Sequence, residues 1–341
     1  MPRFALAVIA ALAALMPAAR VQAQEVILRL HQFLPPQATI PAQVARPWAE
    51  SVMEASGGRI EIQHFDAMAL GGRPPELYDQ AIGGVADIVI TLPGYTPGRF
   101  PQAEVFELPF MMRGSVETSL AFWDMVEQDL QATEFGEAHI LGAWVHGPGV
   151  IHANAPVRTT DDLGGLKLRA PTRVVNDMVS ELGATAVGMP LPGVPEALSK
   201  GVIDGTVIPW EVTPALRLSE LVNHATEFPG EEALYTATFV MAMNKAAYEG
   251  MPEDLRAILD AQSGEVLTRL AAEAMLAGDA PARDLALENG TEIVSLSAEE
   301  IATWKEAAAP VRAAWLEQAA SRDIDGAALV ERAEALIEAR Q

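Results

Sequence analysis

The sequence predicts an α/β protein of two lobes facing each other across a cleft, and three observations predict it. Strand-like runs alternate with helical stretches along the chain, the signature of βαβ units and largely parallel sheets. The run Gly84-Val85-Ala86-Asp87-Ile88-Val89-Ile90 has a counterpart in Gly201-Val202-Ile203-Asp204-Gly205-Thr206-Val207. Each follows a helix begun by proline and ended by glycine, Pro75 to Ile82 and Pro195 to Lys200. A chain of 341 residues is also too long for one small core and suits two domains of ordinary size.

The elements follow in order. Val26-Ile27-Leu28-Arg29-Leu30 reads as a strand, and a helix runs from about Pro41 to the Gly57-Gly58 stop. Arg59 to Phe65 alternates as a second strand, and Ala86 to Thr91 forms a third. Ser115 to Glu134 is helical, His139 to Val145 a strand, and Leu166 to Arg169 a half-buried strand stopped by Pro171. Thr172 is placed to cap the helix Arg173 to Leu182. Leu234 to Asn244 is a long β-type run able to carry the chain back to the first lobe. Beyond Pro252 the composition turns helical, with Asn289-Gly290 breaking one long helix before the strand Thr291 to Leu296. Two further helices fill Ala298 to Gln341.

Arg3, the apolar run Phe4 to Met16 and Val21-Gln22-Ala23 read as a signal peptide cleaved after Ala23, which predicts an exported protein. Without Arg3 and Arg20, 21 basic residues face 46 acidic ones, a net charge of −25. Such a surface repels nucleic acid and anionic lipid. Cysteine is absent, so there is no disulfide framework, thiol nucleophile or thiolate metal site.

The six histidines show no i,i+4 pair and no HExxH spacing, and no Gly-x-Ser-x-Gly elbow or phosphate-cradling loop occurs. Asp204 before Gly205 reads as a turn residue. Arg169, at the C-terminal edge of its strand, stands where open α/β sheets bind ligands. Its planar fork of donors matches a carboxylate. Phe33, Tyr95 and Trp210 fall just after strands, where they can line a cleft and stack on an apolar ligand body. Gln32, Tyr95 and His146 are the polar groups expected to read a ring hydroxyl or second oxygen, with Ile208 and Phe239 as further walls.

The stretch Asp161 to Pro171, with Leu182-Gly183-Ala184, Met189-Pro190-Leu191, Val194 to Leu198, Gly201 to Gly205, Pro252 to Leu255 and Phe106 to Phe110, resembles the DctP-type solute-binding proteins of tripartite ATP-independent periplasmic (TRAP) transporters. The resemblance spans about Glu25 to Ala335. It implies a two-lobed periplasmic-binding-protein fold that closes on a small organic acid and delivers it to TRAP permease subunits in the membrane. Residues 1–23 would be the signal peptide; 24–145 plus about 236–275 lobe I; about 146–235 plus about 276–300 lobe II; and about 298–341 bracing helices. It also implies that Arg169 grips the ligand carboxylate. Family members specialised for sialic acid carry a second arginine where Pro148 falls and an asparagine where Ile208 stands, departures that disfavour a sugar acid.

These readings predict a carboxylate with an aromatic or apolar body, such as a hydroxybenzoate, bound without cofactor or metal and without turnover in the periplasm. An aliphatic hydroxy, oxo or dicarboxylic acid is the alternative. An enzyme using Asp204, Glu211 or His146 as base, or a sensory protein of the same shape, are the rivals.

Overall fold

A computed structural model describes residues 24–341. The predicted signal peptide lies outside the described residues. Eleven strands form two mixed sheets. The first has the order β2-β1-β3-β10-β4, from Ile60–Phe65, Val26–Gln32, Ile88–Thr91, Thr238–Asn244 and Ala138–Val145. The second has the order β11-β9-β5-β8-β6-β7, from Glu292–Ser295, His224–Glu227, Val150–Ala153, Gly205–Ile208, Lys167–Ala170 and Thr185–Gly188. In each sheet one strand runs against its neighbours: β10 is antiparallel to β3 and β4, and β5 to β8 and β9. The sheets are therefore mixed, as the fold class requires.

The internal repeat has a structural basis. Asp87 Oδ2 accepts the Arg29 N–H at 2.8 Å while its own N–H donates to the Arg29 carbonyl at 3.0 Å. Asp204 repeats both bonds with Lys167, each at 2.8 Å. Each aspartate clamps the start of one strand to its parallel neighbour, β3 to β1 and β8 to β6, at the sheet end away from the ligand edge. Asp204 is thereby a turn residue, and Val85 and Val202 are the solvent-facing tips of equivalent turns.

Several elements depart from the expected spans for local reasons. The first helix opens as a π-helical turn, Ile40–Ala45, before the α-helix Arg46–Ala55. Pro47 lacks the N–H that would continue an α-helical ladder, so the turn widens. The helix after Pro252 is interrupted at Gly264, φ +65°, and resumes as Glu265–Glu288. Thr172 holds the N-cap position of Arg173–Glu181, but its hydroxyl makes no cap bond. The four-residue strands β5, β7 and β9 carry no expected counterpart, being too short to show a period.

Two connections cross between the sheets side by side: His146 to Gly149, linking β4 to β5, and Tyr235 to Ala237, leading into β10. His146 N–H donates to the Ala237 carbonyl at 3.3 Å and Gly149 N–H to the Tyr235 carbonyl at 3.0 Å. The helix Glu265–Glu288 packs on both sheets: Leu267 lies against Gly142 of β4, while Ala282 and Ala286 pack with Val150 and Ala225. The last two helices, Ala298–Ala320 and Gly326–Arg340, lie against the helices Arg173–Glu181 and Ser115–Met125 respectively. Among the described residues no helix is long and apolar enough to cross a membrane.

Candidate ligand-binding site

A cavity opens where the two sheets meet. Phe33 and Leu34 follow β1, Leu92 and Tyr95 follow β3, and His146 follows β4. From the second sheet come Arg169 and Pro171 at the end of β6, Leu191 beyond β7, and Ile208, Pro209, Glu211 and Val212 at the end of β8. Ile40 and, on the return into β10, Tyr235 and Phe239 complete the lining. These are the carboxyl ends of the parallel strands of both sheets, the edge at which open α/β sheets leave room for ligands.

Arg169 is 1% exposed, among the largest fully buried side chains. Its Nε donates to the Met189 carbonyl at 2.8 Å and its Nη1 to the Val207 carbonyl at 3.4 Å. The phenols of Tyr95 and Tyr235 stand beside it, and burial lowers its pKa. Among the described residues no carboxylate forms an ion pair with it. A buried guanidinium without an anion is costly, because the solvation it lost is not replaced. The cavity beside it is where a replacement fits.

The walls are largely aromatic and aliphatic. Phe33 and Tyr95 meet edge to face at 5.4 Å between centroids, and Phe239 stacks on Trp144 at 6.0 Å, inclined by 3°. The Tyr95 hydroxyl accepts the Leu191 N–H at 3.1 Å, which leaves its own proton free to donate. The Tyr235 hydroxyl is buried without a hydrogen-bond partner among the described residues. His146 Nδ1 lies 2.5 Å from the Gly147 carbonyl, so that nitrogen carries the proton and Nε2 is an acceptor. Burial, helped by the backbone contact's opponent Arg169, pushes His146 down to about 4, so the ring is neutral at neutral pH.

Of the residues expected from the sequence, the structure brings Arg169, Tyr95, Phe33, His146, Ile208 and Phe239 to this cavity. Trp210 and Gln32 are not part of its lining. Pro209 ends the strand logic, and the turn closed by Thr213 N–H on the Trp210 carbonyl, 2.9 Å, rotates the indole away. Trp210 packs with Val150, Ala225, Ala282 and Ala286, meets the His152 ring at 4.9 Å, and donates to Glu227 Oε1 at 2.9 Å. Gln32 is spent on its own loop: Nε2 donates to the Leu34 carbonyl at 2.7 Å and to Asp66 Oδ1 at 2.9 Å, while Oε1 receives the Leu34 N–H. It shapes the turn that presents Phe33. Sequence reading missed Tyr235, because it lies in an apolar β-type run that reads as core, and gave Glu211 only as a rival base. No group of three or more His, Asp or Glu able to hold a metal ion occurs among the described residues.

The TRAP solute-binding protein of Rhodoferax ferrireducens, solved with copurified benzoate, is 46% identical, with a TM-score of 0.90 over 92% of this chain and 98% of that one. A marine-metagenome TRAP solute-binding protein specific for aromatic acid ligands, solved with 3-hydroxybenzoate, is 42% identical, with a TM-score of 0.91 over 94% of this chain and 100% of that one. A Bordetella bronchiseptica TRAP solute-binding protein with bound (R)- and (S)-mandelate is 31% identical, with a TM-score of 0.84 over 92% of this chain and 99% of that one. Residues 31–318 match the DctP family, the bacterial extracellular solute-binding proteins of family 7, and the chain belongs to that family.

Proposed function

We propose that this chain is a periplasmic receptor that binds a small aromatic carboxylate between its lobes, without turnover, and hands it to a TRAP permease. The observation that carries this reading is the buried Arg169 guanidinium, left without a carboxylate partner beside a cavity walled by Phe33, Tyr95, Ile208 and Phe239. The ligand carboxylate would take charge-assisted bonds from Arg169, with the Tyr235 and Tyr95 hydroxyls as further donors, and His146 Nε2, an acceptor, is left for a ligand O–H. Benzoate, 3-hydroxybenzoate and mandelate in similar structures support the aromatic body. A dicarboxylate fits less well, since Arg169 is the only lysine or arginine lining the cavity.

The mechanism follows from the double-sided lining. The proposed lobes are 24–145 with about 236–275, and about 146–235 with about 276–300. A ligand touching both lobes stabilises their closed arrangement over the open one, and that difference in affinity is what drives closure. The His146–Gly149 and Tyr235–Ala237 crossings are the segments that flex.

The test is titration calorimetry of the chain from Gln24 onward with benzoate, 3-hydroxybenzoate, mandelate, succinate and pyruvate, with Arg169→Ala alongside. Aromatic acids should bind wild type and lose at least about 30-fold in the variant, since leaving a buried charge unpaired typically costs about 2 to 5 kcal/mol. Binding of succinate or pyruvate with no binding of any aromatic acid would overturn the reading. Ligand recovered chemically unchanged after prolonged incubation separates a receptor from an enzyme.

A further inference from the structure

The cavity holds another buried ionisable group besides the guanidinium. Glu211 lines the same cavity as Arg169 and is 7% exposed, yet the two form no ion pair. Its backbone is pinned from two directions: its N–H donates to Asp279 Oδ1 at 3.0 Å, and its carbonyl accepts from the Thr39 hydroxyl at 3.4 Å. Gly278 allows this seat, because a β-carbon there would meet Glu211 Cβ at 2.9 Å. The Thr39 hydroxyl stands beside the Glu211 carboxyl.

Arg169 acts electrostatically on His146, and Tyr95 and Tyr235 flank the guanidinium. Asp279, which accepts the Glu211 N–H, is a charged neighbour of its carboxyl. Burial first, then Asp279, pushes the Glu211 carboxyl up to about 8, so at neutral pH it is mostly protonated and does not repel an anionic ligand. Ile208 and Val212 supply apolar wall beside it.

We propose that Glu211 is a specificity-determining residue that reads a hydroxyl on the ligand body, while Arg169 holds the carboxylate. This rests on the aromatic-carboxylate reading above. A neutral carboxyl is matched to a phenol: its carbonyl oxygen accepts the phenolic O–H, and its own O–H donates to the phenol oxygen or to Thr39. The cavity then sorts ring acids by a hydroxyl donor on the ring as well as by the anion.

The experiment compares 3- and 4-hydroxybenzoate with the corresponding fluorobenzoates, nearly the same size but without the O–H, on wild type, Glu211→Gln and Glu211→Leu. Wild type should bind one hydroxybenzoate isomer about tenfold or more tighter than its fluoro counterpart, the scale of a buried hydrogen bond left unmade. Glu211→Leu should shrink that ratio to about twofold or less, and Glu211→Gln, which keeps a donor and an acceptor, should retain most of it. The ratio is the readout, so a general loosening of the site cancels. An unchanged ratio in Glu211→Leu overturns the proposal; should that variant fail to fold, a wild-type ratio near one for both isomers overturns it instead. If benzoates and fluorobenzoates bind and only the ratio fails, the receptor reading survives; if no ring acid binds wild type, both fall together.

Discussion

Gly149 seats the ring of Tyr235. A β-carbon at residue 149 would run into Cε1, Cδ1 and Cζ of that ring, while the Gly149 N–H donates to the Tyr235 carbonyl at 3.0 Å. The two crossing segments are thus held to each other, and move together, at the point where a buried hydroxyl, unpartnered among the described residues, meets the cavity. Gly149→Ala should cost about 1 to 3 kcal/mol through overpacking and weaken benzoate binding by displacing the phenol. Tyr235→Phe separates the two effects. It should leave ligand-free stability equal or slightly higher, since an unsatisfied hydroxyl is removed, while affinity falls about tenfold. Thermal melts and calorimetry of both variants check this; full affinity in Tyr235→Phe would take the hydroxyl out of the site.

Arg169 should reveal its purpose in the same way. In Arg169→Met the desolvation carried by the guanidinium disappears, though the Met189 and Val207 carbonyls lose a donor. Ligand-free stability is expected within about 1 kcal/mol of wild type, because replacing a buried charge by an apolar side chain of similar length is often neutral. Affinity for an aromatic acid should fall about 30-fold or more. Loss of several kcal/mol in denaturant unfolding would make the arginine chiefly structural.

The comparison of sequence and structure turns on what a linear pattern encodes. Arg169 was legible because β6 alternates and Pro171 fixes its end, so strand position alone put the side chain on the ligand edge. Phe33 and Tyr95 were legible for the same reason, as residues just past β1 and β3. Trp210 was not, because its direction depends on a turn after Pro209 that sequence alternation does not describe. Gln32 failed on competition: a flexible amide next to its own loop backbone satisfies itself locally before it reaches a ligand. Tyr235 and Glu211 come to the site only through the return of the chain into β10 and the packing of the Gly278 turn of a distant helix, both long-range facts.

Buried carboxyls should shape the pH dependence of stability. Burial raises Glu107 to about 7 and Glu211 to about 8, and Asp279 to about 7, against an ordinary value of about 4 in the unfolded chain. Between these limits the folded state holds protons the unfolded state has released, so this stability is complete below about pH 4 and is lost as pH rises toward 7 and 8. His146, at about 4, and His152, at about 3, act oppositely by favouring protonation of the unfolded chain below about 6.5. The carboxyl effect should therefore emerge above pH 6.5. Glu107 Oε1 accepts from Thr238 N–H at 3.1 Å and from its hydroxyl at 2.8 Å, bonds an amide oxygen can keep, while Oε2 has no partner among the described residues. Glu107→Gln should stabilise the protein more at pH 8 than at pH 5 in denaturant unfolding; an equal effect at both would clear Glu107 of the pH response.

The last expectation concerns closure at a distance from the cavity. Glu104, buried in the turn Ala103–Glu107 that follows β3, pairs with Arg173, the first residue of the helix after β6. Arg173 Nε donates to Glu104 Oε1 at 3.2 Å, and Trp315 of the helix Ala298–Ala320 donates to Oε2 at 3.3 Å. Neither Glu104 nor Arg173 lines the cavity, yet their bond joins segments attached to different sheets and must break if those sheets part. Apparent affinity scales with the fraction of protein in the binding-competent arrangement. Arg173→Ala should therefore weaken aromatic-acid binding about tenfold, discounted from a fully buried pair because the arginine side chain is 21% exposed. The loss should appear as faster dissociation with little change in association, readable by stopped-flow fluorescence. Adding Glu104→Gln should restore part of the affinity, since the carboxylate left unpaired is then removed. If Arg173→Ala changes neither rate, the pair persists in both arrangements and closure is held by the ligand and the cavity walls alone.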